Sequence, residues 1–381
     1  MMLRAHLHRA AVACIFGLAT LPAAADTAPC QPWPAWNAFR THFINEAGRV
    51  IDPSAPPGLT TSEGQAYSMF FALVAGDQDN FARILRWTED NLADGDLTAR
   101  LPAWQWGRRP DGSWGVLDEN AAADADLWIA YALGEAGRLW NEPRYAALSR
   151  LLAERALREE TLDLAGLGRT LLSGPSGFVQ ASGQVRLNPS YAPLQIMRRF
   201  ATLYPQRAWT QLAATSLEVI VRAAPRGFAP DWVRYRVGAG FQADTETGAA
   251  GGFNAIRVYL WAGMLAEDDP ARAVLLRTLR PAAQAVAMRG TPPLSVATRD
   301  GKMTGTGPAG FSAAMLPMLS ALRMHDAADA QRLRIEARAP LAQSDNYYDQ
   351  ALVLFGAGFA EGRYRFARNG ALVPTWTCAA H

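Results

Sequence analysis

The chain has 381 residues, half of them apolar, with 37 Lys and Arg against 35 Asp and Glu. That length and apolar share support a large buried core. The near-neutral balance argues against a nucleic-acid partner or a membrane-surface protein, since both need a basic excess or stripe.

Arg4 and Arg9 precede a mostly apolar run from Ala10 to Leu21, followed by Ala23-Ala24-Ala25. This is the pattern of a secretory signal peptide over residues 1–25, and its apolar part is too short for an ordinary membrane span. The expected mature chain, 26–381, is a single domain with no membrane insertion, periplasmic or secreted. Loss of Arg4 and Arg9 from the 37 basic residues leaves 35, against 35 acidic ones. Cys14 leaves with the signal, and Cys30 and Cys378 remain near the two ends, in a compartment where disulfides persist. A bridge between them would close almost the whole chain and stabilise it by about 3–5 kcal/mol. The alternative is two unpaired thiols.

Apolar residues at three- and four-residue spacing predict helices over 33–46, 62–75, 78–92, 123–139, 142–157, 189–202, 206–222, 253–266, 270–287, 310–322, 326–338 and 345–360. Short connections alternate with long irregular ones at 47–60, 93–122, 158–188, 223–252 and 288–309. That alternation describes helical hairpins in series. Six hairpins without a repeating consensus predict an all-α, closed toroid rather than an open solenoid. The helices after the long connections start at Ser62, Asp124, Pro189, Asn254 and Gly310, so ring closure would gather these starts on one rim. Trp104, Trp106, Trp114 and Trp232 lie in the same connections. A polar cleft floored by helix N-termini and walled with indoles suits a carbohydrate.

Thr60-Thr61-Ser62 supplies hydroxyls that can cap a helix, and Glu63 falls in its first turn. Cleavage of a glycosidic bond needs one protonated carboxyl group and one carboxylate, and Glu63 and Asp124 are the candidates. A helix N-terminus favours the ionised form of Glu63. An acid role therefore requires desolvation or a nearby negative charge, from Asp124 or Asp126. The structural alternative is that these acids only complement helix dipoles. The His spacing contains no zinc-hydrolase motif, and Gly310-Phe311-Ser312 is not a nucleophile elbow because Ala314 stands where Gly is required. Neither a metal nor another cofactor is expected.

The sequence resembles glycoside hydrolase family 8, and within it the secreted endoglucanases that accompany bacterial cellulose synthases. The resemblance is carried by Cys30-Gln31-Pro32-Trp33-Pro34-Ala35-Trp36, Thr61-Ser62-Glu63-Gly64-Gln65, Ala122-Ala123-Asp124-Ala125-Asp126-Leu127-Trp128, Asn188-Pro189-Ser190-Tyr191, Pro230-Asp231-Trp232-Val233-Arg234-Tyr235 and Ala255-Ile256-Arg257-Val258-Tyr259. It implies an (α/α)6 barrel, with Glu63 as general acid and Asp124 as an active-site residue near the bond cleaved. It also implies an endo-1,4-β-glucanase acting on a β-1,4-glucan chain by inversion, with the cellulose synthase export complex as an expected partner.

Two positions depart from the family pattern. Ala123 stands where Ser or Thr is usual, and Asn254 occupies the position where inverting members carry the Asp that serves as base. An amide cannot deprotonate water. Either another acid (Asp124, Asp231, Asp244 or Glu246) takes that task, or the enzyme is slow, or the chain is a glucan-binding accessory. Tyr67, Trp104, Trp106, Trp128, Tyr191, Trp232, Tyr235 and Arg257 are the expected substrate contacts, each with a core or loop-anchoring role as the alternative.

Overall fold

The computed structural model describes residues 32–54, 58–338 and 346–376. Cys30, Cys378 and the 1–25 segment lie outside these residues. Twelve helices are found among them: α1 (Pro34–Phe43), α2 (Ser62–Ala75), α3 (Gln78–Leu92), α4 (Ala123–Leu139), α5 (Pro143–Glu159), α6 (Leu194–Leu203), α7 (Arg207–Ala223), α8 (Ala255–Gly263), α9 (Arg272–Arg289), α10 (Ala309–Ala321), α11 (His325–Arg338) and α12 (Tyr347–Ala360). Each matches an expected span within a few residues. The largest difference is at α6, which begins at Leu194 rather than Pro189. Asn188 folds the preceding residues into a turn by accepting from Ser190 N and Oγ at 3.0 and 2.8 Å, and Pro193 then sets the helix start.

The even-numbered helices form the inner ring of an (α/α)6 barrel and the odd-numbered ones the outer ring. The sequence dictates this by composition. α8 is buried at all nine positions, and α2 and α10 at nearly all, whereas α11 buries only Ala328 and Gln331. Neighbouring inner helices touch in the order α2, α4, α6 and again α8, α10, α12, and α12 packs against α2 to close the ring. Glycines permit the closest approaches. A Cβ at Gly356 of α12 would lie 1.9 Å from the Ala313 carbonyl oxygen of α10, and one at Gly263 of α8 would lie 2.3 Å from Met318 N. At the barrel axis Trp128 packs on Phe70, Phe355 and Trp261, with ring centroids 4.9–5.3 Å apart.

The long connections contain short strands rather than wholly irregular chain. β1 (Thr60–Thr61), β2 (Gln105–Arg108) and β3 (Trp114–Asp118) make one antiparallel sheet, in register Thr60↔Trp106 and Thr61↔Gln105. Strands Val185–Leu187, Val233–Arg236 and Gly240–Ala243 make another. Near the C-terminus, the hairpin of Tyr364–Phe366 and Leu372–Pro374 is fastened to α4. Tyr131 OH donates to the Gly370 carbonyl at 2.8 Å, and Leu372 N donates to buried Glu135 at 2.7 Å. No helix of the described residues is long and apolar enough to cross a membrane.

Candidate active site

The inner-helix N-termini do converge on one rim. Thr61 caps α2, its Oγ1 accepting from Gly64 N at 3.1 Å, and this fixes Glu63 in the first turn. The sheet to which Thr60 and Thr61 belong, with Ser62 N donating to the Trp104 carbonyl at 2.9 Å, delivers the Trp104 indole to the same place. Its Nε1 donates to Glu63 Oε1 at 3.3 Å, while Glu63 Oε2 is closed off from solvent and has no protein partner. Burial, and secondarily the charge of Asp124, push the Glu63 carboxyl up to about 8.

Asp124, in the first turn of α4, is buried. Its Oδ1 accepts from Ala125 N at 3.0 Å, and its Oδ2 from Arg257 Nη1 at 2.7 Å and from Tyr67 OH at 3.4 Å. Arg257 Nη1 also donates to Tyr67 OH at 2.6 Å, and its Nη2 donates to Asn254 Oδ1 at 2.7 Å. Burial raises the Asp124 pKa too, but the guanidinium opposes it. The proton of the pair therefore rests on Glu63, whose own partner is a neutral indole. Asn254 Oδ1 must face the guanidinium, so its amide NH2 is turned elsewhere.

Asp231 caps α8 from a distance: its Oδ1 accepts from Gly252 N, Asn254 N and Ala255 N at 2.9, 2.8 and 2.7 Å. Tyr348, in the first turn of α12, donates from its OH to the Phe253 carbonyl at 2.5 Å, and burial pushes its phenol up to about 12. It was not among the residues singled out from sequence, although the rule that inner-helix starts face the rim applies to it as much as to Glu63.

Aromatics flank this cluster. Trp106 and Trp114 stack at 5.3 Å with Arg49 over both rings. Trp232 stacks on Phe178 at 5.9 Å under Arg186, and Tyr191 lies 6.0 Å from Trp232, with Arg257 over its own ring. Of the expected contacts, Trp104 touches Glu63 directly and Tyr191 lies under Arg257, while Trp106 and Trp232 are stacked within the flanking clusters.

Several expectations need correction. Trp128 is fully buried at the barrel axis, and Tyr235 is buried in a smaller core cluster with its OH donating to the Ala165 carbonyl at 2.9 Å, so neither offers a face to a glycan. Asp126 points away from Asp124 toward Glu160. Both carboxyls are sealed from solvent, and burial pushes both pKa values up, so neither supplies a charge to the rim. The negative charge felt by Glu63 is that of Asp124. Asp244 is committed elsewhere: burial is more than offset by hydrogen bonds from Thr247, Arg186 and Arg234, which hold it at about 2.

A protonated carboxyl group beside an ion-paired carboxylate, in an aromatic-lined rim of an (α/α)6 barrel, is an arrangement suited to glycosidic bond cleavage. The sequence profile of glycosyl hydrolases family 8 matches residues 9–362. The chain belongs to this family. An endoglucanase of Xanthomonas axonopodis pv. citri is 47% identical over 368 residues, covering 95% of each chain, and an endoglucanase of Escherichia coli K12 is 45% identical over 344 residues, covering 90% of this chain and 91% of its own. The crystal structure of an endo-1,4-D-glucanase from Vibrio fischeri ES114 superposes with a TM-score of 0.87 at 45% identity, over 90% of this chain and 99% of that one. As a family 8 member the protein is a glycoside hydrolase, and its barrel is the family's fold.

Proposed function

We propose that this glycoside hydrolase is an endo-1,4-β-glucanase that cuts internal bonds of cellulose chains with inversion, with Glu63 as the general acid and Asp124, in its buried network with Tyr67 and Arg257, keeping that acid protonated. The observation that carries the reading is Glu63, kept protonated at neutral pH by burial and by Asp124 while hydrogen-bonded to an indole on the rim. A neutral carboxylic acid can give its proton to the leaving oxygen; an ionised one cannot. The relatives named endoglucanase support the substrate class. A periplasmic or secreted location is supported by the signal-like residues 1–25, and action beside a cellulose synthase export complex by the sequence resemblance.

The rival reading, a glucan-binding accessory without turnover, rests on Asn254. The shared name of the relatives favours hydrolysis. Carboxymethylcellulose decides between them: the wild-type protein should lower its viscosity faster than it releases reducing ends, and Glu63→Gln should do neither. A wild type that binds the polymer but releases no reducing ends establishes the accessory reading instead.

A further inference from the structure

We propose that Asp231 is the base that activates the hydrolytic water, with the Asn254 amide NH2 holding that water in place. The inference rests on the glucanase reading and names the group that reading still lacks. A reaction in which Glu63 gives up a proton requires a second carboxyl group to accept one.

The other acids near the rim are spoken for. Asp124 has both oxygens engaged and is 1% exposed. Asp244 is held by Arg186, Arg234 and Thr247, and Glu246 pairs with the same two arginines. Asp126 and Glu160 are sealed in the core. Asp231 differs from all of these. Its Oδ1 takes three backbone N–H groups, which fixes the carboxylate rigidly, while its Oδ2 accepts no hydrogen bond from the described residues. Gly252 lies beside that oxygen, where a Cβ would stand 3.4 Å from it.

The same backbone groups tie Asp231 to the rest of the site. It holds Asn254 N; Asn254 Oδ1 accepts from Arg257, and Arg257 pairs with Asp124. Tyr348, whose OH donates to the carbonyl of Phe253 next to Asn254, feels the charge of both Asp231 and Glu63. Because Asn254 Oδ1 is used by Arg257, its NH2 is free to donate to a water that in turn donates to Asp231 Oδ2.

In the step, the water oxygen attacks the anomeric carbon while Asp231 Oδ2 takes one water proton. The bond from that carbon to the leaving O4 breaks, its electron pair goes to O4, and Glu63 supplies O4 with a proton. The products are a hemiacetal of inverted configuration and a free 4-hydroxyl; Asp231 leaves protonated and Glu63 ionised, and exchange with solvent resets both.

Asp231→Asn tests this, since its side-chain oxygen can still cap α8. Cellopentaose hydrolysis should lose about 10²–10⁴-fold in kcat, with cellopentaose affinity and thermal midpoint unchanged and the acidic limb of the pH profile gone. Adding Asn254→Asp to Asp231→Asn should recover activity by returning a carboxylate to the water. The assignment is overturned if Asp231→Asn keeps more than about a tenth of the wild-type kcat, or if its loss of kcat comes with equal losses of affinity and midpoint while the acidic limb persists. A wild type without turnover overturns the glucanase reading and this assignment together; an active wild type with an active Asp231→Asn overturns this assignment alone.

Discussion

Arg257 holds Asp124 at 2.7 Å across 133 residues of sequence, with both side chains buried. Such a pair is costly to break from one side, because the surviving charge is left buried without its counter-ion. Arg257→Met should therefore lower unfolding stability by about 3–5 kcal/mol in denaturant titrations. Arg257→Lys should recover only part of this, since one ammonium cannot reproduce the fork that reaches Asp124, Tyr67 and Asn254 together. Full recovery by Lys would show that charge alone matters.

The pH dependence of activity follows from Glu63. The acid must carry its proton, so kcat/KM should fall as pH rises through about 8. A profile still flat at higher pH would remove Glu63 from the acid role.

Two substitutions should move that limb in opposite directions. Asp124→Asn removes the negative charge that helps raise Glu63, so the limb should shift to lower pH. Trp104→Phe removes the indole hydrogen bond to Glu63 Oε1, which favours the ionised form, so the limb should shift to higher pH. The pH profiles of the two variants, measured on one soluble oligosaccharide, check both signs.

Glu63 also has a stability consequence. Its folded-state pKa lies above the unfolded value near 4.3, so the native state binds more protons between the two, and stability falls as pH rises from about 4 toward about 8. Glu63→Gln removes that loss. Its thermal midpoint should exceed the wild type's by on the order of 2–4 °C at pH 8, with the gap shrinking toward pH 4. Calorimetry at the two pH values measures the gap, and a gap that widens on acidification contradicts the sign.

Gly356→Ala tests the ring itself. A methyl group there would press on the Ala313 carbonyl at the crossing of α12 and α10. The expected cost is about 1–3 kcal/mol or more, because a backbone atom cannot rotate away as a side chain can. An unchanged denaturation midpoint would mean that the two helices separate freely.

Much of this was legible in the sequence because it is local or periodic. Most inner helices announce themselves by being apolar on nearly every side, α6 with Arg198, Arg199 and Thr202 being the exception, the outer ones by a polar face, and Glu63 by Thr61 and Ser62 before it; these properties need no partner to exist. What each side chain meets is a different matter. Trp128 and Trp104 have the same ring, yet one fills the barrel axis and the other reaches Glu63, because α4 points its second turn inward while the pairing of Thr61 with Gln105 lays the neighbouring indole over α2. Asp124 and Asp126 stand two residues apart, and a helix sends such side chains to different faces, one to Arg257 and one to Glu160. The protonation of Glu63 is likewise a tertiary property: the helix start favours the charged form, and only closure of the ring, by removing water and bringing Asp124 near, reverses the preference.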